Sequence, residues 1–133
     1  MSTITIDIEI PEQLIRDIII TACEGGIGYW SQLESYDGPA IADGVEGSLP
    51  LRIREIKEEG WDEETTVYGP WRDLGIEQVI GGLQKMVQEY PHRRDTMRMI
   101  EAITNYDSGN YDYDADDADN VIQFALLGGL VYG

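Results

Sequence analysis

Residues 11–30, PEQLIRDIIITACEGGIGYW, change their period part-way along, and that change decides the fold class. Leu14, Ile15, Ile18, Ile19, Ala22 and Cys23 recur at the three- and four-residue spacing of one helical face. Pro11 is tolerated at a helix start, and Glu12 suits the positive end of the helix dipole. Gly25-Gly26 then reads as a left-handed C-terminal stop. Ile27 to Ser35 follows with Tyr29, Trp30 and Leu33, aromatic enough for a strand that leaves the helix directly. A helix that runs straight into a strand points to mixed α and β structure.

On the N-terminal side, Thr3 to Ile10 alternates Ile4, Ile6, Ile8 and Ile10 with polar residues, the period-2 pattern of a half-buried strand. On the other side, Asp37 to Pro50 reads as a loop. Leu51, Ile53, Glu55 and Lys57 then fall on one face of a strand, with Arg52, Arg54 and Ile56 on the other. Glu58 to Glu64 is an acidic turn around Trp61, after which Thr65 to Tyr68 returns as a hairpin partner until Gly69-Pro70.

From Gly75 the period is helical. Ile76, Val79, Ile80, Leu83, Met86 and Val87 form a stripe that ends at Tyr90-Pro91. A helix from Arg93 to Thr104 presents Met97, Ile100, Ala102 and Ile103. Its first half carries Arg93, Arg94 and Arg98 at the unfavourable end of the dipole, so these cations are expected in ion pairs. After the polar tract Asn105 to Asp114, the residues Ala118, Val121, Ile122, Ala125 and Leu126 give a last helix, N-capped within an aspartate run. Gly128-Gly129 ends it, and Leu130 to Tyr132 is expected as a short strand. Residues 1–133 therefore read as a single compact α+β domain, a small mainly antiparallel sheet packed by three to four helices.

The formal net charge is -17 on 133 residues, which disfavours direct binding of nucleic acid or anionic membrane and favours basic partners. An acid-rich surface also keeps a salt-adapted protein hydrated, so the charge has a reading without a partner. With 42% apolar residues, three Trp and eight Tyr, the chain is too hydrophobic for the disordered acidic class. Cys23 is the single cysteine and cannot form an internal disulfide, so a reducing cytoplasm is expected. The start MSTITIDIEI lacks the cationic opening of a secretory signal, and the apolar stretches are too short for a membrane span.

Two stretches at opposite ends of the chain resemble a family of small uncharacterised bacteriophage and prophage proteins. Ala22-Cys23-Glu24-Gly25-Gly26-Ile27-Gly28-Tyr29-Trp30 is similar to its A-x-E-G-G-x-x-Y-W signature. Tyr111 to Asp119, running through Gln123 and Ala125 to Val131-Tyr132-Gly133, looks like its D-x-x-x-A-D and Q-x-A-x-x-G-x-V-Y-G ending. This chain has Leu127-Gly128-Gly129 where the usual form has Phe-Gly-Glu. The resemblance implies a phage origin, and with it the host cytoplasm, but carries no activity.

Candidate chemistry is sparse. An EF-hand register starting at Asp112 places Asp114 and Asp116 correctly. It then puts Asp117 where the turn needs glycine and Gln123 where calcium needs a bidentate glutamate, so no metal site is expected. The glycines of Gly25-Gly26-Ile27-Gly28 follow a helix and precede a strand, the reverse of a phosphate-binding loop. Cys23 and His92 could form a nucleophile and base, but Cys23 continues an apolar helix face and His92 sits beside two arginines. Neither a catalytic site nor a cofactor is expected.

The reading is therefore of a binding protein whose partner is a basic host protein, with carboxylates in place of nucleic-acid phosphates. Asp112, Asp114, Asp116, Asp117 and Asp119 would form one acidic ridge, and Glu58, Glu59, Asp62, Glu63 and Glu64 a second patch. The alternative is a small-ligand module, with an aromatic pocket near Tyr29, Trp30 and Trp71 and with Arg93, Arg94 or Arg98 on a nucleotide phosphate. A structural phage protein that assembles with itself, as a homo-oligomer, is a third.

Overall fold

A computed structural model describes residues 7–133. Helix α1 spans Glu12–Gly25 and buries Leu14, Ile15, Ile18, Ile19 and Ala22, the stripe its spacing predicts. Its end differs from expectation. Gly26 has φ of −121° and is not left-handed; its N–H still donates to the Ala22 carbonyl at 2.8 Å. Glycine is needed for closeness instead, because a Cβ on Gly26 would lie 2.6 Å from the Ala115 carbonyl oxygen and 3.2 Å from Asp119 Cβ. The helix thus ends against the start of α5 (Ala115–Leu127), the last helix of the chain.

The chain then turns before it extends. The N–H groups of Trp30 and Ser31 both donate to the Ile27 carbonyl, so the expected strand from Ile27 shrinks to β1, Ser31–Leu33. The expected loop that follows contains α2, Gly38–Ala42, whose N-terminus is capped by Asp37 accepting from Ala40 N–H at 3.1 Å. Strand β2, Leu51–Glu58, is the spine of the sheet and pairs antiparallel with all three other strands. Glu55 lies opposite Ser31 of β1, and Leu51 opposite Leu74 of β4 (Arg72–Leu74). Ile56 lies opposite Tyr68 of β3 (Val67–Tyr68), with a register shift between Ile56 and Glu58.

Helices α3 (Ile76–Glu89) and α4 (Arg94–Thr104) follow where their periods predict, but the face of α4 differs: it buries Asp95, Thr96, Met99 and Ala102, while Met97, expected on the apolar side, is exposed. Helix α5 packs against α1 and α3, and its contact with α3 is close enough that a Cβ on Gly82 would lie 2.8 Å from the Ala125 nitrogen. Leu51, Ile53 and Leu74 bring the inner face of the sheet to the same core. The architecture is α+β, with a four-stranded antiparallel sheet, four longer helices and one short one among the described residues.

Two expected strands differ. Of Thr3 to Ile10, the part Thr3–Ile6 lies outside the described residues, and Asp7–Ile10 forms no strand; Ile10 packs on the core while Ile8 is exposed. Leu130 to Tyr132 is not a sheet strand, because a side chain rather than a neighbouring strand satisfies its backbone. No helix among the described residues is long and apolar enough to cross a membrane.

Candidate functional site

The aspartate run divides between folding and surface. Asp114 is the N-cap of α5: its Oδ1 accepts from the Asp117 N–H at 2.9 Å, and Asp117 Oδ2 accepts from the Asp114 N–H at 3.0 Å. Arg98 of α4 donates to Asp117 Oδ2 at 2.8 Å and lies 3.5 Å from Asp114. The Asp117 backbone N–H, aided by Arg98, holds the Asp114 carboxyl below the ordinary aspartate range. Asp117 is buried. Asp112, Asp114 and Asp116 remain exposed.

Asp119 is only 4% exposed and sits at the centre of a polar hub. Its Oδ1 accepts from Trp30 Nε1 at 2.8 Å and from Gln123 Nε2 at 3.0 Å, and its Oδ2 accepts from the Tyr29 hydroxyl at 2.7 Å. Gln123 also holds residues Leu130–Gly133 in place. Its Oε1 accepts from the backbone N–H groups of Val131 and Tyr132, both at 2.9 Å, and its Nε2 donates to the Tyr132 carbonyl at 3.1 Å. The Tyr132 ring stacks on Trp30 with centroids 5.3 Å apart, and its hydroxyl donates to Glu55 Oε1 at 2.7 Å.

The hub therefore joins the turn between α1 and β1, strand β2, α5 and the last residues of the chain. Burial, reinforced by the bond to Asp119, pushes the Tyr29 hydroxyl up to about 12; burial and the bond to Glu55 do the same for Tyr132. Burial would raise Glu55, but hydrogen bonds from Tyr132 and Lys57 outweigh it and keep the carboxyl below its usual range. With each carboxylate oxygen of Asp119 and both ends of the Gln123 amide occupied, this is a structural joint.

The second acidic patch has the opposite character. Glu58, Glu59, Asp62, Glu63 and Glu64 are all exposed around the β2–β3 loop. Asp62 shapes the turn by accepting from the Thr65 N–H at 3.0 Å, while its backbone carbonyl accepts from the Thr66 N–H, also at 3.0 Å. Glu63 accepts from Gln32 at 3.3 Å. Trp61, at the centre of the loop, is 101% exposed.

The groups of the small-ligand alternative do not converge. Tyr29 and Trp30 belong to the Asp119 hub. Trp71 lies on the outer face of the sheet, with the Arg54 guanidinium 4.4 Å and the Arg52 guanidinium 5.6 Å from its ring centre. Arg93, the N-cap of α4, is paired to Asp95 through two hydrogen bonds of 3.0 and 3.1 Å, and Arg98 to the cap of α5, so two of the three arginines are ion-paired as expected. Arg94 is exposed and makes no ion pair among the described residues.

Asp95, Asn120 and Glu55 are parts of this framework that the sequence reading did not single out, and Gln123 entered it only as an unsuitable calcium position and within the C-terminal motif. Asp95 also accepts from Asn120 at 2.8 Å and from the Thr96 N–H at 2.8 Å. Burial works against its charged form, but the bonds from Arg93, Asn120 and Thr96 hold it below the usual carboxylate range. Gln123 and Glu55 each carried a signal, since each is a polar residue within an apolar face.

No group of three or more His, Cys, Asp or Glu is placed to hold a metal ion among the described residues. Burial, with Glu24 adding to it, raises the Cys23 thiol to about 12, so it carries no thiolate at neutral pH. A groove of about 510 Å³ lies between α3 and α4, lined mainly by apolar side chains such as Ile80, Leu83, Val87, Ile100 and Ile103. None of the acidic or aromatic candidates lines it. No protein-family model, curated protein or solved structure matches the chain.

Proposed function

We propose that the protein acts by binding a basic protein, as a phage-encoded accessory factor in the host cytoplasm. Its carboxylates stand where that partner would otherwise meet nucleic-acid phosphates. The observation that supports this reading is the β2–β3 loop, whose five carboxylates are all exposed and make no ion pair among the described residues. The ridge on α5 contributes less than its sequence suggests. Asp117 and Asp119 are turned inward, leaving Asp112, Asp114 and Asp116 at the surface.

DNA presents roughly one charge per 1.7 Å of axis, so a basic groove built for it meets a comparable density on a short acidic loop. The reading involves no catalytic step and no cofactor. Its affinity is electrostatic and falls as salt rises. The test uses a variant that spares Asp62, because that residue also shapes the turn. Glu58, Glu59, Glu63 and Glu64 are changed together to glutamine, and binding of host proteins is compared at low and high salt. Salt-sensitive capture by the parent protein, lost in the variant, is expected; capture that survives the substitutions overturns the loop as the contact.

A further inference from the structure

The three tryptophans have three different surroundings. Trp30 is buried and donates its indole N–H to Asp119. Trp71 is half-buried, with the guanidinium groups of Arg54 and Arg52 over its ring. Trp61 is fully exposed and has no cation over its ring among the described residues, although carboxylates flank it on both sides in sequence. A tryptophan contributes most when it is buried or stacked, and at Trp61 this molecule supplies neither.

The chemistry of the loop says what would complete it. The negative face of an indole attracts a cation, and arginine is the usual partner because its planar guanidinium stacks on the ring while its edge donates hydrogen bonds. The carboxylates of Glu59 and Asp62, which flank Trp61 in the chain, are acceptors suited to those donors. Trp71 shows a related arrangement within the molecule: the Arg54 guanidinium lies 4.4 Å from its ring centre and 3.7 Å from that of Tyr68, and the Arg54 Nε donates to the Gln32 amide oxygen at 2.8 Å. We propose that Trp61 and the carboxylates around it receive an arginine-bearing segment of a protein partner, with a guanidinium stacked on the indole. This rests on the reading of the loop as the partner surface and adds to it an aromatic anchor and a preference for arginine over lysine.

Oligo-arginine and oligo-lysine peptides of equal length serve as probes, titrated into protein labelled with 5-fluorotryptophan. The Trp61 resonance is assigned by its loss in Trp61→Phe. The expected result is a shift of that resonance and tighter binding of oligo-arginine than of oligo-lysine. Trp61→Ala should weaken oligo-arginine binding by about five-fold and remove most of the preference, with Trp61→Phe restoring part of it. Because Trp61 has no burial to lose, its substitution leaves the fold intact.

Two outcomes overturn the proposal alone. In one, oligo-arginine binds Trp61→Ala as tightly as the parent; in the other, both peptides bind the parent equally. The underlying reading has a separate readout. If the variant with glutamine at 58, 59, 63 and 64 binds both peptides as tightly as the parent, the acidic-loop reading fails. Absence of binding by the parent overturns both.

Discussion

The start of α5 and the β2–β3 loop each concentrate five carboxylates in a short stretch, yet the molecule uses them in opposite ways. At α5, Asp114 and Asp117 close the helix end and pair with Arg98, while Asp119 is enclosed by Tyr29, Trp30 and Gln123. At the loop, Asp62 shapes the turn and Glu63 accepts from Gln32, but all five carboxylates remain exposed. Acidic composition alone does not distinguish the two. What separates them is the neighbouring elements: α5 lies against α1, α3 and α4, whereas the loop projects from paired strands at the sheet's end.

The comparison breaks most sharply at Asp119. Asp119→Ala would strand the donors of Tyr29, Trp30 and Gln123, two of them in a buried setting, and should cost about 3 kcal/mol or more in urea unfolding. The four-glutamate loop variant should stay within about 0.5 kcal/mol of the parent in the same assay, as surface substitutions do. Equal losses in the two variants would erase the distinction.

Gly26→Ala should cost about 2 kcal/mol, because its Cβ would press on the Ala115 carbonyl at 2.6 Å and force α1 and α5 apart. If the variant is as stable as the parent or slightly more so, as the lower unfolded-state entropy of alanine alone would give, the close approach is not rigid.

A smaller effect concerns pH. Asp95, Asp114 and Glu55 have carboxyl groups held below their ordinary range, so their contribution is fully present above the unfolded pKa, about 4, and is lost as pH falls through the lower folded values. Asp95→Asn should flatten the acid limb of the stability profile. On the alkaline side, Tyr29 and Tyr132 titrate near 12 when folded against 10 when unfolded, so stability should fall as pH rises across that interval. The loop variant should leave both limbs in place.

The helices were legible because their apolar residues repeat over several turns; α1 and α3 follow their stripes closely, whereas α4 was placed correctly but turned, since Met99 rather than Met97 faces the core. The short strands were not. Three residues in β4 and two in β3 are too few to establish a period, and their place is set by pairing with β2. The α5 cap was legible from composition, whereas the burial of Asp119 was not drawn from it. Its signal was positional: Asp119 lies beside Ala118 and three residues before Ile122, within the apolar face of α5. Its partners Tyr29 and Trp30 lie about ninety residues away in the chain, beyond any local pattern. The exposure of Trp61 was equally hidden, since tryptophan among acids fits a core edge as well as an open loop.

The hub also carries a consequence in time. Trp30 meets Asp119 across 89 residues, and Tyr132 meets Glu55 across 77. Such pairings require most of the chain to be brought together before they return any stabilisation, whereas the helical turns and the β2–β3 hairpin need only neighbours. The hub is thus expected to close after the rate-limiting step of folding, and what it governs is escape from the folded state. Loosening it would shorten the lifetime of the native molecule while leaving the speed of its formation nearly unchanged.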